Sequence, residues 1–252
     1  MNTYILFEAI RENDLAKVMT FSDFTIHHMF EAVREGKLEI MIFLHSQGCE
    51  WDVEISECAA RNGHLDCLQY AHLNGCPWDK NVCIAAAENG HFDCLQYAHS
   101  NGCEWDVNVC TLAATYGHFD CLKYAHLNGC KWDESVSLAA VENETVDCFM
   151  YAISNGCPVD EVECLLILIE TFQNYSRNND YGLASKETRK NGYINCITCL
   201  IEHSNNLQAL FNRRDIKFDI IADKIDLSSN AWRRISGLNL SKHPKLQSKV
   251  RQ

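Results

Sequence analysis

Cysteine and histidine recur together at a fixed spacing, and both side chains can bind metal. The pattern Cys-x4-His-x3-Cys occurs in three copies, which are Cys67, His72 and Cys76; Cys94, His99 and Cys103; and Cys121, His126 and Cys130. Because thiolate and imidazole are good zinc ligands, a Cys/His metal-binding array is one hypothesis. Related stretches place Ile40 at the first Cys position and Ile153 at the His position. An apolar side chain cannot bind zinc, so core packing is favoured and we expect the protein to fold without metal.

Catalytic motifs are missing from the sequence. There is no Gly-rich phosphate loop, no Gly-x-Ser-x-Gly and no His-Glu-x-x-His. The repeated Cys residues do not single out one nucleophile. The sequence therefore predicts a protein that is not an enzyme, with no catalytic residues, no cofactor and no bound metal.

The chain repeats itself with a period of 27 residues from Val53 to Asp133. A period of this size predicts stacked units that bury their apolar faces against one another. Each unit divides into two short helices, such as Lys80 to Glu88 and Phe92 to Ser100. Before each first helix stands a predicted N-cap, namely Asp52, Asp79, Asp106 and Asp133. The recurring Trp51, Trp78, Trp105 and Trp132 are interpreted as packing wedges between units rather than as a binding platform.

The stretch GHLDCLQYAHLNG, from Gly63 to Gly75, resembles the second helix of an ankyrin repeat, and Ala59 to His64 resembles the end of the first helix. The unit lacks Thr-Pro-Leu-His and is shorter than the usual period of about 33 residues. It is most similar to the short, GCPWD-type ankyrin repeats of amoeba-infecting giant viruses and some protists. The resemblance implies an all-α, ankyrin-like helix-turn-helix solenoid with short or missing β-hairpin fingers, a helical C-terminal cap and a protein-binding role.

The register of Gly, Cys, Trp and Asp predicts how the chain is organised. Residues 1–25 are predicted to form an N-terminal capping repeat. The predicted full repeats are 26–52, 53–79, 80–106, 107–133 and 134–160. Residues 161–204 are interpreted as a split final repeat with a loop insertion at 174–190, because that stretch is polar and aperiodic. Residues 205–252 are predicted to form a helical cap and a basic tail.

Charge is distributed unevenly along the chain. The formal net charge is −12, yet ten Lys or Arg stand against four Asp from Arg213 onward. The acidic remainder argues against a nucleic-acid groove along the repeats, since phosphate binding requires clustered cations. A solvated terminal tail is the favoured interpretation of the basic segment. The longest apolar run, Cys164 to Ile169, is too short to cross a bilayer. Together with the odd count of 15 Cys, this predicts a soluble, intracellular, monomeric protein of the cytoplasm, or of the host cytoplasm if the chain is viral.

The candidate binding residues are the positions that vary between otherwise similar repeats. Residues needed for packing should be the same in each repeat, whereas residues that bind a partner need not be. The varying positions follow an i, i+4, i+8 spacing, which places them on one face of the first helix. We refer to them as the first-helix ladder: Val53, Glu57, Arg61, Lys80, Ile84, Glu88, Val107, Thr111, Thr115, Glu134, Leu138 and Glu142. The ankyrin resemblance implies that this ladder lines a concave face, and it is the predicted site for an unidentified protein partner.

Three functions remain open at this stage. The favoured one is a protein-binding scaffold that uses the first-helix ladder. The second is an adaptor whose segment from Leu207 to Gln252 recruits another machine, such as a ubiquitin ligase. The third is the Cys/His metal-binding array, which the substitutions Ile40 and Ile153 weaken.

Overall fold

The computed structural model describes residues 2–177, 183–204, 211, 218, 222, 229–236, 238, 240 and 243–250. Helices and no strands occur over these residues, so the predicted all-α class is confirmed. Two compact units make up the chain, Met1–Lys131 and Trp132–Gln252.

The first unit is built from pairs of short helices. They are α1 (Asn2–Arg11), α2 (Leu15–Val18), α3 (Ile26–Arg34), α4 (Leu38–Ser46), α5 (Val53–Arg61), α6 (Leu65–Leu73), α7 (Lys80–Glu88), α8 (Phe92–Ser100), α9 (Val107–Thr115) and α10 (Phe119–Leu127). Both helices predicted for one repeat, Lys80 to Glu88 and Phe92 to Ser100, are confirmed. First helices stack on first helices in one row, and second helices form the other row. Helices this short are marginal alone, so packing between repeats must stabilise them.

Equivalent positions of successive repeats form the core of the first unit. Leu68, Leu95 and Leu122 occupy the same place in α6, α8 and α10, and each is fully buried. Small residues such as Ala86 and Ala113, also fully buried, allow the first helices to pack closely. The apolar residues that recur from repeat to repeat therefore pack mainly against the neighbouring repeats.

The predicted helix caps are confirmed by hydrogen bonds. The Oδ1 atom of Asp79 accepts from the backbone N–H of Asn81 at 2.8 Å, and Asp52, Asp106 and Asp133 make the equivalent bond. These carboxylates satisfy backbone donors that a helix start leaves free. Their recurrence explains why the first helix of each repeat from 53 to 160 begins one residue after an Asp.

In three consecutive repeats, a histidine packs against the glycine that ends the first helix of the preceding repeat. The rings of His64, His91 and His118 lie against Gly36, Gly63 and Gly90, respectively. The Nε2–H group of His118 donates to the carbonyl of Glu88, the last residue of α7, at 3.1 Å. The equivalent bond from His64 to the carbonyl of Arg34 measures 3.0 Å. Each histidine thus caps a neighbouring helix end while filling the space above a glycine.

The second unit contains longer helices. They are α11 (Glu134–Glu142), α12 (Val146–Ser154), α13 (Glu161–Arg177), α14 (Leu183–His203), α15 (Ser229–Ser236) and α16 (Pro244–Val250). The loop predicted at 174–190 is wrong wherever the structure describes it, because α13 continues to Arg177 and α14 begins at Leu183. Residues 178–182 lie outside the described residues, as does most of the predicted cap at 205–252.

The helical course of 183–190 has a physical reason. The segment LASKETRK is composed largely of residues with good helix propensity, and a polar composition does not by itself prevent a helix. Its continuation packs internally, because Tyr193, Cys196 and Ile197 are buried. The loop prediction failed because it took polar, aperiodic composition as evidence against a helix.

His28 makes the first unit sensitive to acid. It lies 4% exposed in α3 against the rings of Phe7 and Phe24, and its Nδ1 atom accepts from the backbone N–H of Thr25. Burial, aided by neighbouring His27, lowers the pKa of His28 below its usual value. The folded state therefore binds fewer protons than the unfolded state, so this contribution to stability is complete above about pH 6.5 and is lost as the pH falls.

We expect the melting temperature to fall between pH 7.5 and 5.5, a window above the titration of the carboxylates. His28→Gln should make this fall smaller, because glutamine keeps the capping partnership with Thr25 and carries no titrating charge. Thermal unfolding followed by circular dichroism at several pH values measures the slope. An unchanged slope in the variant would show that His28 does not contribute.

Candidate functional site

The structure places the first-helix ladder on the accessible face of the first helices. Nine of its members lie on α5, α7 and α9 in the first unit, and Glu134, Leu138 and Glu142 lie on α11 in the second. None of the twelve is buried, and the positions between them, such as Val82 and Ala86, are fully buried. The alternation that the sequence predicts is therefore present in both units.

The two cations of the ladder already have carboxylate partners. Arg61 forms an ion pair with Glu57 one turn earlier on α5. The Nζ atom of Lys80 lies 2.7 Å from Oδ2 of Asp106, the N-cap residue of α9. The hydrogen bond from Lys80 lowers the pKa of Asp106, and its bond to Asn108 acts in the same direction. Exposed pairs of this kind contribute little to stability because solvent screens them, so an incoming charged group can exchange with them easily.

The remaining ladder residues in the first unit present a mixed surface. The hydroxyl of Thr115 donates to the carbonyl of Thr111 at 2.8 Å, and that of Thr111 donates to the carbonyl of Val107 at 3.1 Å. Their hydroxyls are thus used within α9. Together with half-buried Ile84, they give the ladder apolar contact area between its charged groups.

The Cys and His residues of the repeated pattern face different partners. Cys67 is buried in α6, and burial raises the pKa of its thiol to about 12. His72 is hydrogen-bonded through Nδ1 to the hydroxyl of Tyr97 at 2.9 Å, whereas the Cys76 thiol donates to the carbonyl of Asp52 at 3.2 Å. Over the part of the chain that the structure describes, no group of three His, Cys, Asp or Glu residues is arranged to hold a metal ion.

Histidine, tryptophan and tyrosine form a recurring cluster that the sequence patterns did not reveal. In the repeat at 53–79, His72 stacks on Trp78 with ring centroids 3.9 Å apart, and Tyr97 of the next repeat meets Trp78 edge-on at 6.3 Å. Two further clusters in the first unit have the same geometry, namely His45, Trp51 and Tyr70, and His99, Trp105 and Tyr124. The packing role predicted for Trp is confirmed for these three. The missed signal was the constant separation of 25 residues between His and Tyr.

A cavity of about 470 Å³ lies in the second unit, where the His–Trp pair is replaced. Ile153 and Val159, which stand at the His and Trp positions of the repeat, both line it. Its polar side chains are partly engaged, since Ser204 donates to the carboxylate of Glu161 at 2.7 Å. The cavity therefore coincides with the substitution of two rings by smaller aliphatic side chains.

Comparison with known proteins identifies the repeat type. Residues 55–131 match the family model described as ankyrin repeats, in 3 copies. This segment is similar to ankyrin repeats. The crystal structure of the human ASB11 ankyrin repeat domain is similar with 16% sequence identity and a TM-score of 0.49, over 70% of this chain and 97% of that chain. A comparison with curated proteins gave no match.

Ankyrin repeats are general protein–protein interaction modules, and the paired helices of the first unit have the corresponding solenoid fold. The fold is that of a binding scaffold, typically without enzymatic activity. Within the described residues, no helix combines the length and apolarity needed to span a bilayer. The ankyrin segment therefore points to protein partners.

Proposed function

We propose that the first-helix ladder binds a protein partner and that the chain acts as a non-enzymatic scaffold. The observation that carries the proposal is the contrast within each first helix: residues that vary between repeats are accessible, and residues that recur are buried. A surface maintained only for folding would need no such set of mixed charged and apolar side chains.

Packing supports the first helices as the binding side. In the first unit, first helices pack more closely on one another than second helices do. The row with the closer spacing is the inner row of a curved stack, which favours a concave surface along α5, α7 and α9. The connections before these helices contain no strand in the described residues, so no hairpin covers them.

The partner is expected to make most of its affinity at a few ladder residues. Arg61 and Lys80 offer cations, Glu88 offers a carboxylate, and Thr115 offers a small apolar contact. Binding energy concentrates in such central residues rather than over the whole contact area. The short repeat form favours a partner from the host of a virus or protist, with the chain acting as a monomer in the cytoplasm.

Proximity labelling or a pull-down with the full chain would supply the partner for a direct test. Lys80→Ala should then weaken binding by about 1–2 kcal/mol, roughly a fivefold to thirtyfold loss of affinity, while the melting temperature stays unchanged. Isothermal titration calorimetry measures the affinity. Lys123→Ala is the matched control, because Lys123 is an exposed lysine on the second helix α10.

The opposite pattern would contradict the proposal. If Lys123→Ala weakens binding as much as Lys80→Ala, the first helices are not the binding side. If ladder variants bind normally while changes between Arg233 and Arg251 abolish binding, the C-terminal segment is the interaction site. That result would favour the adaptor function over the ladder.

A further inference from the structure

In the four repeats from 53 to 160, the fourth residue of the first helix lies beside the cysteine that follows the second helix of the same repeat. Two of these four repeats have a serine at this position and two have a cysteine. The serine pairs are Ser56 with Cys76 and Ser137 with Cys157, and the cysteine pairs are Cys83 with Cys103 and Cys110 with Cys130. The same pair of positions is therefore a hydroxyl–thiol pair in two repeats and a pair of thiols in two others.

Contacts in the structure show how close these groups are. In the serine version, the hydroxyl of Ser56 donates to Sγ of Cys76 at 3.3 Å. In the cysteine version, Sγ of Cys83 lies 4.0 Å from the carbonyl oxygen of Cys103. The later cysteine holds the same place in both versions, because the thiols of Cys76, Cys103 and Cys130 each donate to the carbonyl of the Asp before the first helix. A thiol at the serine position is therefore near enough to it for the two sulfur atoms to join after a small movement.

The two members of a pair differ in access. Cys83 is completely buried, whereas Cys103 is 4% exposed. Cys103 is thus the thiol that a small reagent meets first, and Cys83 is the thiol that lies behind it.

We propose that Cys83–Cys103 and Cys110–Cys130 are two modification sites at which a small hydroperoxide closes a disulfide within one repeat. The Cys103 thiolate attacks the peroxide oxygen, the O–O bond breaks, and a sulfenic acid and water form. Cys83 then attacks that sulfur, an S–S bond forms, and the hydroxyl leaves as a second water. Two thiols and one hydrogen peroxide give one disulfide and two waters, and the thiols supply both electrons.

The serine repeats explain why the reaction is selective. Cys76 and Cys157 occupy the same position as Cys103, but a serine hydroxyl stands where the second thiol would be. Their sulfur atoms therefore have no resolving thiol at this contact. Closure at Cys83–Cys103 would tie the middle of α7 to the turn after α8, and it would replace the bond that the Cys103 thiol donates to the carbonyl of Asp79 at 3.0 Å.

The test uses the reduced full chain, treated with hydrogen peroxide under native conditions and then alkylated to block the remaining thiols. The mass measured before alkylation should fall by about 4 Da, the four hydrogens lost when two disulfides form. A protease that cuts after Asp and Glu separates the members of each pair, since Glu88 lies between Cys83 and Cys103, and Asp120 between Cys110 and Cys130. Mass spectrometry should find these two links, and reduction should reverse them.

Cys83→Ser and Cys110→Ser are the matched variants, because they recreate the serine–thiol pair that the chain itself uses at Ser56 and Ser137. Each should keep the melting temperature of the reduced protein within a few degrees and lose only its own link. The oxidised wild-type chain should melt higher than the reduced chain, because the link restricts the unfolded state. The proposal is overturned if all 15 Cys remain open to alkylation after oxidation, if the links join other cysteines, or if they form only in urea.

Discussion

Gly90→Ala is expected to lower the free energy of unfolding by about 3 kcal/mol, the largest effect that a single methyl group should have in this chain. Gly90 has φ of +74°, and a Cβ atom there would lie 2.4 Å from Nδ1 of His118. The left-handed backbone costs a non-glycine residue about 1–2 kcal/mol. Displacing a packed ring costs about 1–3 kcal/mol more, because His118 also caps the carbonyl of Glu88.

The matched control is Gly102→Ala, which isolates the backbone effect. Gly102 has φ of +85°, yet a Cβ atom there would meet nothing within 4 Å. This variant should lose only about 1–2 kcal/mol. Urea unfolding of both variants measures the difference. Equal losses would mean that the His118 ring moves aside freely, and the proposed packing role of the glycine would then be wrong.

A second substitution separates ring displacement from strain. His118→Thr copies the closing repeat, which has Thr145 at the histidine position. Introduced into Gly90→Ala, it should recover part of the lost stability, whereas alone it should destabilise the chain. Recovery in this background and loss in the wild-type background would show that the two positions are energetically coupled, as residues in contact are.

Local signals were sufficient to predict the helices of the repeats. Asp79 and Asn89-Gly90 bracket α7 because capping depends on residues adjacent in sequence. The contact of His118 with Gly90 was not predictable in this way, since it depends on which face of one repeat meets the next. The ladder shows the same limit. Its spacing indicated one face of the helix, but the ion pair between Lys80 and Asp106 joins two repeats and was not predictable from that spacing.

The cysteines show a different limit. A core position for the first Cys of the repeated pattern was predicted from Ile40, and Cys67, Cys94 and Cys121 are buried there. The other cysteines are buried as well. Equivalent cysteines on stacked repeats are too far apart for a bond, since packed helices lie about 8–10 Å apart and a disulfide needs a Cα separation of about 4.4–6.8 Å. Cys83 and Cys103 are not equivalent positions, so their contact within one repeat was missed. Composition identified the environment of each thiol but not its neighbour.

The closing repeat of the array suggests that histidine and tryptophan act as a pair. It replaces the histidine by Ile153 and the tryptophan by Val159 together, and both replacements line the cavity of the second unit. In the first unit, His72 stacks on Trp78 at 3.9 Å and is hydrogen-bonded to Tyr97. A ring that has lost its stacking partner contributes less to the stability of the fold. The two substitutions should therefore be energetically coupled.

Trp78→Val is expected to destabilise the chain by about 2–3 kcal/mol, because it removes most of a half-buried aromatic side chain and both of its ring contacts. His72→Ile should cost about 1 kcal/mol through the lost bond to Tyr97. The double variant should cost about 0.5–1.5 kcal/mol less than the sum, since the stacking energy is lost only once. Urea unfolding of the four proteins measures this coupling.

A distant pair provides the control for that cycle. Trp51 stacks on His45, and His99 stacks on Trp105, so Trp51→Val and His99→Ile remove rings that belong to different clusters. Their costs should add within about 0.3–0.5 kcal/mol. If the pair of His72 and Trp78 is equally additive, the stack contributes only buried area, and the joint replacement in the closing repeat reflects two independent changes. A coupling confined to the stacked pair would instead establish the cluster as a cooperative unit that links each repeat to the next.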